Sequence, residues 1–284
     1  SEDYARAVIE NLGEVLVHGV TIMPGKPAVV GVVRETPVFG IPGYPVSAII
    51  VFEQLVRLLL TALLKQPEPP SERVVVTPTR KMASKLGLEE FVRVKLGDVG
   101  GRMVATPLPR GAGSITSITD ADGIVRIPAD TEGIRENATV TAELLRPVSE
   151  LRRTIVIVGS HDNTLDVLAG QLKASQSGLT LSSSHVGSMG GLMAIKRGAC
   201  HLAGSHLLDP EDGTYNVSYI RNYLPGRAIK LVNLVYRDNG LIVPRGNPRA
   251  IHGIEDLTRP DVTFINRQAG SGTRILLDYR LRQL

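Results

Sequence analysis

Between Lys65 and Ser71 the chain reads Gln66-Pro67-Glu68-Pro69-Pro70, and three prolines in five residues set the organisation on both sides. Proline lacks the N–H that helices and sheet ladders use and its ring fixes φ, so no regular element crosses this stretch. Upstream, "VSAIIVFEQLVRLLLTALLK" (Val46 to Lys65) repeats apolar residues at helical spacing and predicts a long, largely buried helix. Downstream the period changes to short β-type runs: Val74 to Thr77, Glu90 to Leu96, Met103 to Ala105, Gly123 to Ile127 and Ala138 to Leu144. Separated by Gly, Asp and Pro turns, they predict a small β-barrel or sandwich. A third pattern starts near Arg152, where the buried-strand run Thr154 to Val158 is followed by alternating strand and helix signals. The fold class is therefore α/β plus β in three units, 1–66, 71–147 and 152–284, which suits a chain of 284 residues.

The first unit carries one phrase twice, Pro24-Gly25-Lys26-Pro27 and Pro42-Gly43-Tyr44-Pro45. Each combines a residue with fixed φ and one free to take positive φ, so each predicts a stiff corner with exposed backbone. Val29 to Val33, a turn at Arg34 to Pro37, and Val38 to Ile41 read as a hairpin that brings both corners to one end of a sheet. A short amphipathic helix over Asp3 to Leu12 and a strand over Val15 to Ile22 precede them.

Charge and cysteine content exclude several classes. The net charge is +4 with Lys and Arg scattered along the chain, which suits small anionic substrates and demands no nucleic-acid surface. A single cysteine, Cys200, excludes an intramolecular disulfide framework, and no Cys/His spacing matches a zinc site. The acidic, polar start and the absence of an uninterrupted apolar run of membrane length predict a cytoplasmic protein without a membrane partner.

With the corners in register, the sequence resembles a known family. Asp3-Tyr4, Leu12-Gly13-Glu14, the two Pro-Gly phrases and Val46-Ser47-Ala48 resemble the cofactor-binding domain of the molybdopterin molybdenumtransferases, the molybdenum insertases. "EEFVRVKL" (Glu89 to Leu96) and "GSITSITDADGIVRIP" (Gly113 to Pro128) resemble the family's C-terminal β-domain. The resemblance implies half of a molybdopterin-binding α/β domain followed by the β-domain, with the family's earlier domains and its glycine-serine loop absent upstream of Ser1. It implies insertion of molybdate or tungstate into adenylylated molybdopterin with Mg²⁺, in a homodimer. Pterin contacts fall on Pro24, Gly25, Pro27, Pro42, Gly43, Tyr44, Pro45, Ser47, Arg93 and Ser114, with Asp3 and Lys26 catalytic and Asp3 also the metal ligand. The residues themselves leave plainer roles open: turns for the prolines and glycines, a favourable helix-start charge for Asp3, solvated charges for Lys26 and Arg93. Tyr44 stands where the family usually has asparagine, and Met23 where a basic residue often precedes the first corner.

The third unit repeats a different feature. Gly159-Ser160, Gly187-Ser188, Gly204-Ser205 and Ser271-Gly272-Thr273 each sit beside a strand end or a helix start. Serine hydroxyls, free N–H groups and helix dipoles together can hold a tetrahedral oxyanion without lysine, although any one such serine is equally a helix cap. "NRQAGSGTR" and these junctions resemble the periplasmic-type solute-binding fold, in particular its oxyanion binders. The implied site is Ser160, Ser188, Ser205, Ser271, Gly272 and Thr273, flanked by His161, His185 and His206, in a domain whose second lobe is incomplete. The alternative reading is a non-catalytic oxyanion-binding or sensor module attached to a degenerate insertase half.

Overall fold

The computed structural model describes residues 4–67, 71–111, 113, 115–175, 177–268 and 271–284. Asp3 and Ser114, two of the proposed site residues, lie outside them.

In the first unit, helix α1 (Ala5–Leu12) packs beside a three-stranded antiparallel sheet of β1 (Glu14–His18), β3 (Val29–Val33) and β4 (Thr36–Gly40) in the order β1-β3-β4. The hairpin register pairs Val29 with Gly40, so the two Pro-Gly corners do lie at one end of the sheet. Its turn is tighter than the sequence suggests: Arg34 and Glu35, both at positive φ, form a two-residue connection between Val33 and Thr36. The expected single strand over Val15 to Ile22 is instead two. Gly19, at φ 85°, turns the chain and its N–H bonds to Ala28 O, after which β2 (Ile22–Met23) leaves this sheet.

After the second corner comes one continuous helix, Pro45–Leu63. Its segments are α2 (Pro45–Val51), a π-helical stretch (Phe52–Val56) and α3 (Arg57–Leu63). The sequence predicts a largely buried helix, but only Val46, Ser47, Ile50 and Val51 are buried, all in α2. Phe52, Leu58, Leu60 and Leu63 are exposed. By length and composition alone this helix would also suffice to cross a membrane, although Glu53 and Arg57 form an ion pair in its middle.

The second unit is a closed barrel. Strands β5 (Arg73–Pro78), β7 (Glu89–Val99), β8 (Arg102–Pro107), β9 (Gly123–Ile127) and β11 (Val140–Leu144) run in the order β7-β8-β5-β11-β9, and a β7–β9 pairing closes the ring. Inward side chains such as Val76, Val92, Val94, Leu96, Val125 and Ile127 fill it. A small ribbon of β6 (Met82–Ala83) and β10 (Gly133–Ile134), and the single turn α4 (Thr116–Thr119), complete the unit. Two attachments tie the first unit to the barrel. Strand β2 pairs in parallel with the start of β7, Ile22 with Glu89 and Met23 with Glu90. Val46 and Ile50 of α2 bury themselves against Phe91.

After α5 (Val148–Leu151) the third unit opens with a parallel sheet in the order β13-β12-β14, made of β12 (Thr154–Gly159), β13 (Thr180–His185) and β14 (Leu202–Gly204). Helices α6 (Asn163–Ala174) and α7 (Gly187–Arg197) make the crossovers, and α8 (Val217–Tyr223) follows. The sheet packs on the barrel: Val156, Val158 and Cys200 share a core with Val104 of β8. Cys200 is buried, its thiol pushed up to about 11 by burial. Between α8 and α9 (Gly272–Leu281) the only regular helix or strand among the described residues is a 3₁₀ turn, Ile254–Thr258.

Candidate functional site

The two corners converge where the first unit meets the barrel. Gly25 sits at φ 126° with its Cα so close to α2 that a Cβ would lie 2.9 Å from Val51 Cγ2, so this corner requires glycine. Gly43 does not: its φ is ordinary and nothing lies within 4 Å of the position a Cβ would take. That leaves open space above the second corner, beside the start of α2. No side chain caps that helix start, and its first N–H groups and positive dipole end favour an anion. Ser47 and Pro42 are buried, while Lys26, Pro27 and Tyr44 are exposed. Tyr44 reaches across to the barrel, its Cδ1 lying 3.6 Å from the position of a Cβ on Gly113, next to the proposed Ser114.

Arg93 lies on β7 of the barrel, opposite Ile124 of β9. Reading it as a solvated charge fails, because the residue is only 3% exposed. One guanidinium nitrogen donates to Pro109 O at 2.7 Å, while Nε and the other terminal nitrogen are buried and have no hydrogen-bond partner among the described residues. Burial first, and the neighbouring Arg110 second, hold its pKa below the ordinary arginine value, with Glu90 opposing. Glu90 is itself buried and bound to Arg110 at 2.8 Å. Through the β2–β7 pairing, Glu90 lies opposite Met23, the residue before the first corner. Arg80 and Arg110, which the sequence reading did not single out, stand in "PTRKM" and "PLPRGAG" among scattered basic residues, where only the fold brings them together.

A second cluster forms at the C-terminal ends of the parallel strands, the usual ligand-binding edge of such sheets. Ser188, second residue of α7, lies 3.4 Å from Ser160 Oγ and 3.3 Å from His206 Nδ1, and accepts the His206 N–H at 3.1 Å. The start of α9 closes this cup, since a Cβ on Gly272 would come within 3.0 Å of the His206 ring. Ser160, Ser188, His206 and Gly272 are thus brought together. The remaining hydroxyls are otherwise engaged. Ser205 donates to Asn216 Oδ1 at 2.7 Å, and Ser271 caps α9 by accepting the Arg274 N–H. Thr273 is exposed.

Charges near the cup come from residues the sequence gave little reason to pick. Arg237 bonds to Asp162 and to His161 O. The Asp162 carboxylate also caps α6 by accepting the Thr164 N–H, and together these bonds lower its pKa to about 2. Burial, then Arg237, holds His206 below its ordinary value. His161 stacks on His185 with ring centroids 3.9 Å apart. His185 is lowered by burial, then by His161, with Asp166 opposing and Arg80 adding a smaller depression.

The molecule is thus an α/β unit locked to a β-barrel, with an appended parallel-sheet unit carrying a serine cup. Residues 1–62 match the family described as a probable molybdopterin binding domain, residues 75–145 the MoeA C-terminal region (domain IV), and residues 169–284 the PBP superfamily domain. The chain is MoeA-like in its first two units, fused to a PBP-like domain. It is 34% identical over 144 residues to a putative molybdopterin biosynthesis protein of Methanocaldococcus jannaschii, covering 51% of this chain and 33% of that one. It is 28% identical over 146 residues to the molybdopterin molybdenumtransferase of Bacillus subtilis, covering 51% and 34%. It is 38% identical over 129 residues to an uncharacterized protein, YvgK, of Bacillus subtilis, covering 45% and 42%. The chain therefore spans less than half the length of each of these relatives.

Proposed function

We propose that this chain acts in molybdenum cofactor biosynthesis, in the insertion of molybdate or tungstate into adenylylated molybdopterin, with the third unit binding the oxyanion. The observation that carries this reading is Arg93. A guanidinium with two buried nitrogens that have no partner among the described residues costs the fold stability, and it is bonded to Pro109, upstream of Gly113, which approaches Tyr44 of the second Pro-Gly corner. An anionic group entering above Gly43 would find the open N–H groups of α2 and could draw on the unpaired donors of this guanidinium. The serine cup supplies donors for a tetrahedral oxyanion. Likeness to proteins named for molybdopterin biosynthesis supports the same assignment.

Mg²⁺ belongs to the reading only as something the family implies. Among the described residues no group of three or more His, Cys, Asp or Glu side chains gathers to hold a metal. A homodimer is part of the proposal, supported by the apolar side chains that the helix Pro45–Leu63 leaves exposed.

Titrating the whole chain with molybdopterin, followed by pterin fluorescence, tests the reading. Saturable binding that weakens ~10-fold or more in Arg93→Met is expected, since a charge-assisted contact is lost. Failure of the wild-type chain to bind molybdopterin would overturn it.

A further inference from the structure

On the side of the barrel that faces the third unit there is a cavity of about 300 Å³, walled by Arg80, Lys81 and Ala83 on one side and by the segment Pro107–Arg110 on the other. Its charge is one-sided. Arg80, Lys81 and Arg110 line it, and Arg93 lies behind Pro109, to whose carbonyl it is bonded. Among the described residues the buried Glu90, bound to Arg110, is the only carboxylate paired with any of the four. Arg80 is held by one bond, to Pro107 O at 3.1 Å, and its Nε is buried without a partner. Burial first, and Arg110 second, depress the pKa of both Arg80 and Arg93, as expected of a cluster of cations short of negative charge.

The cavity also lies between the two sites already described. Arg80 is near enough to His185 to act on it electrostatically, His185 stacks on His161, and His161 follows Ser160 of the serine cup. On the other side, Pro109 separates the cavity from Arg93. Imidazole and guanidinium groups therefore lie between the cup and Arg93.

We propose that the Arg80–Lys81–Arg110 cavity is a separate binding station for a tetrahedral oxyanion of the molybdate class, receiving it from the serine cup and passing it towards Arg93. The inference rests on the proposed function, because it takes the cup and the Arg93 site as the two ends of the route. Transfer involves only exchange of hydrogen bonds and ion pairs, with no covalent step. Arginine forks match the edges of a tetrahedral dianion, and the surplus positive charge replaces the counterions that it sheds.

The test is calorimetric titration of the intact chain with sodium molybdate, and in parallel with sulfate and inorganic phosphate. Arg80→Gln and the exposed Lys81→Gln are compared with Ser188→Ala and Arg93→Met, each checked for unchanged circular dichroism. The expected result is one molybdate whose affinity falls about 10-fold or more in Arg80→Gln and falls in Lys81→Gln, but which neither Ser188→Ala nor Arg93→Met removes. A single molybdate per chain, abolished by Ser188→Ala and untouched by Arg80→Gln, would overturn the station and leave the cup intact. A single molybdate lost in Arg80→Gln but kept in Ser188→Ala would leave an anion site in the cavity, sink the oxyanion role of the cup and overturn the transfer from it. Loss of the Arg80-dependent molybdate in Arg93→Met would make cavity and Arg93 one site and overturn the inference. So would equal affinity for sulfate and phosphate.

Discussion

At the scale of single residues, Arg93 is where stability and function separate. A structural arginine at 3% exposure would have its donors matched, whereas this one leaves two nitrogens without a partner among the described residues. Replacing a poorly satisfied buried charge by an apolar side chain of similar length is often neutral or stabilising, so Arg93→Met should change unfolding stability by no more than about 1 kcal/mol, or raise it. Chemical denaturation checks this, and a loss of several kcal/mol would mark the residue as structural. Asp162 makes a different prediction. Its pKa, about 2 in the folded protein, is depressed below the ordinary carboxylate value. Its stabilisation is therefore present above about pH 4 and is lost as pH falls through about 2. A carboxyl NMR titration of Asp162 should show that low midpoint, and one near 4 would contradict the cap and the Arg237 pair.

At the scale of elements, the helix Pro45–Leu63 shows how far periodicity reaches. Its existence was legible, since apolar residues recur at helical spacing throughout, but its burial was not. Val46 and Ile50 have Phe91 to pack against, while Leu58, Leu60 and Leu63 stay exposed. If the exposed face joins two copies, Leu60→Glu should convert a dimer to a monomer in light scattering. A wild-type monomer at micromolar concentration would contradict the proposed assembly. The break at Gly19 was missed for a similar reason. The apolar pattern of Val15 to Ile22 runs straight through it, and only the positive φ and the β2–β7 pairing show that the chain changes sheets. The serine junctions were visible as a pattern, yet hydroxyls that cap or brace, such as Ser271 and Ser205, look the same in sequence as Ser160 and Ser188, which face the cup. Arg80, Arg110 and Arg237 stood out even less, because their meaning depends on long-range folding.

At the scale of the whole molecule, the barrel is the hub. The first unit reaches it through β2 and α2, and the third through the core that Val104 shares with Val156 and Val158. Gly97 on β7 allows that second contact, since a Cβ there would lie 2.5 Å from Val156 Cγ2. Gly97→Val should therefore prise the sheet from the barrel. The variant's two units should unfold in separate thermal transitions, and an unchanged melting profile would contradict the packing. The third unit is less complete as a sheet. Its β-type run Leu231 to Tyr236 forms no strand, and Val232 and Tyr236 stay exposed, because no neighbouring strand among the described residues is there to pair with it. The decisive point is whether the two donors of Arg93 left without a partner among the described residues serve an anionic ligand. The most direct measurement is the Arg93 Nε–H resonance in the intact chain during titration with adenylylated molybdopterin and then molybdate. The account predicts a saturable downfield shift as the buried donor gains an acceptor. A ligand that binds while this resonance stays fixed would contradict it.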